Sequence, residues 1–449
     1  MYTLEPTEEN LNSNIARLAV PAAMENMLHM MVFVVDLIMV GKLGTDAIAA
    51  VGLAGALNFV LTIVFSSASV GTVSLVARHI GAKEKPVAER AAAQSLLLAT
   101  VIGVCIAPIL YLSAVNVLYL MSAEPQVAEL GGLYFRIVIC FLPCRLVMLS
   151  CNAAFRGAGD ARTPLIITLV MNCLNVLFNW LLIFGIWIFP RMEVAGAAWG
   201  TSISYVAGAL LVLVILFRGN ALITVTVGNM FPVDMHIIRR ILRISMPAAL
   251  DAFLTQAGYL VFLKIVAMLG TSSLAAHQVA IRVESFSFMP GYALAVSTAT
   301  LVGQSLGAGN QDLARLSMKR SCICALIIMC AFGALFLLIP AQLVGIFSPE
   351  EDVMKLAVLC VMIAAIEQPA LAVYMVYAGG LRGAGDTMSP MVITIIGTFL
   401  FHVPAAYLFG IVFGWGLGGV WLAAALDWIL RAIAVFIMYR RGRWRRVEV

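Results

Sequence analysis

Charge is scarce in this chain. Asp, Glu, Lys and Arg make up 11% of its 449 residues, whereas a soluble globular domain carries about 25%. Most of the molecule therefore has no solvated surface to cover it. Other absences exclude classes of chemistry. No G-x-x-x-x-G-K-S/T run occurs, so the chain holds no phosphate loop of an ATP-driven engine. No H-E-x-x-H and no Ser-His-Asp set is present, so no enzyme is expected and no cofactor is implied. The nine cysteines never form C-x-x-C, which removes the usual zinc and redox motifs. They read as small apolar packing residues. The net charge of +5 forms no basic face, so no nucleic-acid partner is expected.

What fills the chain is apolar. Hydrophobic residues reach 62% and the mean hydropathy is +1.01. Stretches of about 20 apolar residues span a bilayer. Twelve are readable, near 18–41, 47–73, 90–113, 131–154, 163–189, 194–217, 243–268, 273–301, 318–346, 354–379, 390–413 and 417–439. The first follows an acidic leader and has no A-x-A site after it, so it reads as a span and not as a signal peptide. Basic residues gather in alternate loops, among them Arg78, Lys83, Arg162, Arg239, Arg240 and Arg320, and in the arginine-rich tail. Basic loops stay cytoplasmic, so both termini are expected inside a plasma or inner membrane of a prokaryotic cell.

The chain also repeats itself. Phe155-Arg156-Gly157-Ala158-Gly159-Asp160 returns as Leu381-Arg382-Gly383-Ala384-Gly385-Asp386, and Pro21-Ala22-Ala23 as Pro247-Ala248-Ala249, at a constant offset of 226 residues. A fixed period marks duplication. Six spans per copy give both halves the same orientation. The expected fold is all-α: twelve transmembrane helices as two parallel six-helix repeats, an N-lobe over 1–225 and a C-lobe over 226–449.

Polar residues within the spans carry the functional signal, because a charge in mid-membrane costs roughly 2.5–3.5 kcal/mol even on a lenient scale. Asp427 and Arg431 stand at i and i+4, where they can pair on one helix face. Glu25 and Asp251 are repeat equivalents, so they are either architectural or cavity-lining. Asp36 corresponds to Phe262 and Glu367 to Phe141; divergence from apolar to acidic points to a specialised role. Asn172, Asn175 and Asn179 fall on one face of the fifth span, and Thr201 sits at similar depth in the sixth. Asp36, Asn175, Asn179 and Thr201 are candidates for an oxygen cage around a hard cation or a hydrogen-bonded proton site. The alternative is that the asparagines bridge helices. Phe286, Phe288, Met289 and Tyr292 surround the Met289-Pro290-Gly291 bend, and with Glu25 and Glu284 they are cavity candidates, since aromatic and Met surfaces suit flat cationic ligands.

Several stretches resemble the multidrug and toxic-compound extrusion (MATE) family: VVDLIMVGKLG, LVARHIGA, FRGAGD, LAAHQVAIRVESFSFMPGYALAVSTATLVGQSLGAG and LRGAGDT. The resemblance covers essentially the whole chain. It implies a V-shaped pair of lobes and secondary antiport of organic, often cationic and aromatic compounds against H+ or Na+. Asp36 matches the family's first-span aspartate, Asn175 and Asn179 its fifth-span polar pair, and Thr201 its sixth-span threonine. Some members carry an aspartate where Asn179 stands. Others carry acidic residues at the positions of Thr255 and Leu371; here Asp251 and Glu367 lie one turn earlier and are expected to bind substrate or cation in their place. Partners are then small-molecule substrates and membrane lipids, for a chain that acts as a monomer. Rival readings are a flippase for a lipid-linked precursor and a passive channel.

Overall fold

A computed structural model of the protein describes residues 7–121, 124–219, 222–347 and 350–447; the first six residues of the acidic leader lie outside that set. Among the described residues the regular structure is helical. The apolar runs become α1 (Leu11–Gly41), α2 (Thr45–Gly81), α3 (Lys85–Leu120), α4 (Pro125–Cys140 and Leu142–Ala158), α5 (Arg162–Phe184) and α6 (Glu193–Arg218) in the first copy. The second copy gives α7 (Met235–Met268), α8 (Thr271–Gly307), α9 (Gln311–Leu338), α10 (Glu351–Gly383), α11 (Met388–Val412) and α12 (Gly416–Arg441). Eleven are long and apolar enough to cross a membrane, and α4 makes twelve when its two parts, bent by 54°, count as one span. The bend sits at Phe141, two residues before Pro143, because proline cannot supply the amide that would continue the hydrogen-bond ladder.

Other departures from the sequence expectation have local causes. The ninth run was expected to continue to 346, but α9 stops at Leu338 and a short helix, Pro340–Gly345, follows. Pro340 starts that helix well, lacking an amide that would be unsatisfied there anyway. Helix α11 is π-wound over Ile396–His402 and Leu408–Val412, whereas its copy α5 is α-helical throughout.

The helices pack as two lobes. The first comprises Met24–Arg243; the second comprises Ile244–Val449 together with the part of α1 up to Ala23. The halves 1–225 and 226–449 are thus exchanged at their beginnings. In the second lobe Ser297 Oγ donates to the Ile15 carbonyl at 3.4 Å and Arg320 to the Glu8 carbonyl at 2.8 Å. In the first, Gln94 donates to the carbonyls of Asn229 and Met230 at 3.2 and 3.0 Å, and Arg90 pairs with Asp234 at 3.2 Å. Each crossing falls beside the repeated proline, Pro21 or Pro247, inside its helix.

The repeated turns explain themselves once folded. Gly159 and Gly385 take φ of 93° and 92°, a region that favours glycine. Asp160 accepts from the amide and hydroxyl of Thr163 at 3.0 and 2.6 Å; Asp386 accepts from those of Ser389 at 3.0 and 2.7 Å. Arg156 reaches back to both carboxylate oxygens of Glu25 at 3.3 Å, and Arg382 to Asp251 at 2.6 Å. The two ion pairs are repeat equivalents, so each copy ties the end of its fourth span to its first.

Removing one partner of such a pair strands the other charge. Arg382→Met is expected to cost about 2–3 kcal/mol, below the ~3–5 kcal/mol of a fully buried pair, because the Arg382 side chain is 27% exposed. The double variant Asp251→Asn/Arg382→Met is expected to recover most of that loss in thermal unfolding of the purified protein.

Candidate functional site

The polar face of α5 turns inward within the first lobe. Asn172, Asn175 and Asn179 are all buried, as their helical spacing demands. Asn179 Nδ2 donates to Asp36 Oδ1 at 2.6 Å and is 3.2 Å from Asn175 Oδ1; Asn175 Nδ2 donates to Thr201 Oγ1 at 3.3 Å. The four residues expected to act together form one hydrogen-bonded chain from α1 through α5 to α6. Asn172 stands apart from it and donates to the Leu28 carbonyl at 2.8 Å, so this asparagine does bridge helices.

Two residues that sequence reasoning passed over complete the arrangement. Tyr134 on α4 is buried, and its hydroxyl lies beside Thr201. Gly200 gives Asn179 its space, since a methyl group there would overlap the Asn179 side-chain oxygen. Gly196 lets the Leu182 backbone approach in the same way. The signal was the Gly196-x-x-x-Gly200 spacing, which lets two membrane helices come close. Tyr134 left no comparable trace.

Charge sets this site apart. Asp36 is half-buried, and no basic side chain among the described residues pairs with it; its hydrogen-bond partner is Asn179. Arg145 lies in the same lobe but is engaged elsewhere, donating to Thr62 at 2.5 Å and stacking over Tyr205 at 4.5 Å. An open apolar groove of about 550 Å3 runs past Val35, Met39, Trp180 and Phe184, and none of the four site residues lines it. What the arrangement can do chemically is hold a carboxylate against amide hydrogens until a cation or proton arrives.

The second-lobe candidates separate. Asp251 is held by Arg382 and Glu25 by Arg156, which accounts for both without a ligand. Glu367 is buried with Oε2 unpartnered among the described residues, and Glu284 on α8 lies near it. Asp251, held by an arginine, and Glu367 thus stand in different surroundings. Phe286, Phe288 and Tyr292 are exposed on α8, with Phe288 and Tyr292 stacked at 6.4 Å; Met289 is half-buried between them. Asp427 pairs with Arg431 as their spacing suggested, at 2.7 Å.

Two copies of a six-span lobe, with buried charged residues tied in pairs, define a multi-pass membrane protein of the two-lobed transporter fold. The chain belongs to the MatE family: that family's pattern matches residues 21–181 and again 247–408, once in each copy. It is 30% identical to the probable multidrug resistance protein NorM of Thermotoga maritima, over 99% of this chain and 96% of that one. It is 25% identical to the multidrug resistance protein PmpM of Pseudomonas aeruginosa, over 92% and 87%. Among solved structures, a transporter of the MOP superfamily from Pyrococcus furiosus shares the fold with a TM-score of 0.90, at 23% identity and 99% coverage of both chains.

The tight fit at Gly200 yields a test of the site's geometry. Gly200→Ala is expected to destabilise the protein by about 1–3 kcal/mol through overpacking. Adding Asn179→Ala is expected to restore room, so that the two changes combine non-additively in thermal unfolding.

Proposed function

We propose that the chain is a secondary antiporter that exports organic, cationic aromatic compounds in exchange for an inward-moving cation taken up at Asp36. The observation that carries this reading is the half-buried Asp36 carboxylate, hydrogen-bonded to Asn179 and without a basic partner among the described residues. The names of the multidrug resistance relatives support drug export. The proton is the favoured ion because one proton neutralises the single carboxylate, whereas a sodium ion asks for a shell of several oxygens.

In the proposed cycle, external protons neutralise Asp36. The chain Asn179–Asn175–Thr201 then rearranges, and with it the contact of α1 with α5 and α6. Substrate leaves outward; return to the inward state releases the proton. Each charge moving inward gains roughly 2.3 kcal/mol per 100 mV, and 1.36 kcal/mol is tenfold, so one ion sustains a gradient of about 50-fold for a neutral substrate. A monovalent cationic substrate exchanged for one proton is electroneutral and draws on the chemical gradient alone. Glu367 with Glu284 is proposed as the second-lobe group that meets a cationic substrate, a role that Asp251 leaves because of its pairing with Arg382. Both termini lie in the cytoplasm in this scheme, no cofactor takes part, and one chain suffices.

Dye efflux from proteoliposomes, with pH and Na+ gradients imposed separately, tests the reading. Wild type is expected to follow the pH gradient, and Asp36→Asn to lose at least tenfold of that flux. Efflux driven by Na+ and lost in Asp36→Asn would keep the site and change the ion. Gradient-driven efflux that survives the substitution would move coupling to Glu367 and Glu284. No gradient-driven dye movement in wild type would overturn the antiport reading in favour of a flippase.

A further inference from the structure

The second lobe contains a polar network that the scheme above leaves unused. At the offset of 226 residues, Asp36 corresponds to Phe262, Asn172 to Thr398, Thr201 to Asp427 and Tyr205 to Arg431. These four second-lobe residues come together. Arg431 donates to Asp427 Oδ2 through Nε at 2.8 Å and to Thr398 Oγ1 at 2.8 Å. His402 places Nδ1 3.0 Å from the same Asp427 oxygen, and its ring lies 4.7 Å from that of Phe262. The space that a carboxylate occupies in the first lobe is thus taken by a phenyl ring with an imidazole against it.

Around Phe262 several buried polar atoms have no partner among the described residues. His277 packs at 5.4 Å from Phe262 and at 5.6 Å from Trp421. It is 2% exposed, and neither ring nitrogen is hydrogen-bonded. Trp421 Nε1 and Asp427 Oδ1 are in the same condition. Buried polar atoms left this way are uncommon and call for a functional reason. The π-wound stretch of α11 that ends at His402 is of a kind that recurs at functional sites.

We propose that His402 and Asp427 form a proton-binding dyad in the second lobe, standing where the first lobe has Asp36, with Arg431 as its fixed counter-charge. Arg431 and Asp427 cancel, so the resting dyad is neutral, and a proton arriving at His402 brings it to one positive charge. In the first lobe a proton takes Asp36 from one negative charge to none. Each lobe therefore gains the same charge on protonation from a different starting point. Histidine suits the task because it is the side chain that changes charge near neutrality. The groups within electrostatic reach of the dyad are Arg431 on α12, His277 on α8, Glu367 and Tyr374 on α10, and Asp251 on α7 with its partner Arg382. His402 itself keeps 17% of its side chain exposed.

The effect on transport rests on the antiport reading; the protonation does not, and two measurements keep them apart. The first is NMR of histidine-labelled protein in lipid nanodiscs across pH, with His402→Gln assigning one of the five imidazoles. His402 is expected to show a protonation step whose midpoint moves in Asp427→Asn. The second is dye efflux as a function of pH. His402→Gln, which keeps a hydrogen bond to Asp427, is expected to lose one step from the pH profile of efflux. An imidazole that holds one protonation state throughout, or a His402→Gln profile superimposable on wild type, would overturn the proposal. If Asp427→Asn does not fold, the wild-type titration and His402→Gln decide. Wild type without any gradient-driven efflux would sink the antiport reading and leave the NMR titration to judge the dyad.

Discussion

A charge within the hydrocarbon layer has to be neutralised, and much of this molecule is organised by that requirement. Glu25 meets Arg156, Asp251 meets Arg382 and Asp427 meets Arg431. Burying such pairs contributes little net stability, but breaking one leaves a stranded charge. They act as fasteners whose cost of opening is high. Against that background Asp36 stands out, because its partner is an amide that carries no charge. The same constraint ties the other three carboxylates to arginines and leaves Asp36 with a neutral partner.

The two copies solve one problem with the same residue types in different places. The first lobe has Arg145 on α4 stacked on Tyr205 of α6, and its carboxylate on α1. The second has leucine, Leu371, at the position of Arg145 and arginine at that of Tyr205, and its carboxylate beside that arginine on α12. Moving the acid next to the base on one helix turns an open site into a closed ion pair. Duplication thus preserved the fasteners at the helix ends and let the interiors diverge.

Much of this was legible in the sequence, for identifiable reasons. The spans follow from hydropathy and the duplication from one constant offset. The face shared by Asn172, Asn175 and Asn179 follows from helical periodicity, and the pairing of Asp427 with Arg431 from i,i+4 spacing. What escaped depends on partners distant along the chain. Arg156 and Arg382 read as part of the repeated turn sequence, yet they end helices and reach carboxylates on the first span of their copy. Tyr134 reads as one more aromatic in an apolar run. His402 was invisible for a further reason: π-winding of α11 changes the angle per residue, so a wheel drawn at α-helical pitch misplaces it.

The exchange of helix beginnings reaches into biogenesis. The first lobe is closed by residues at the start of α7, which the ribosome makes only after all six spans of the first copy. The second lobe, conversely, waits for its own spans to arrive around a segment synthesised ahead of the first copy's spans. Neither copy can finish its core from its own residues, so a cut at the repeat junction would yield two fragments that are each incomplete. An ancestral gene doubled in tandem has become a product whose halves mature only by interleaving.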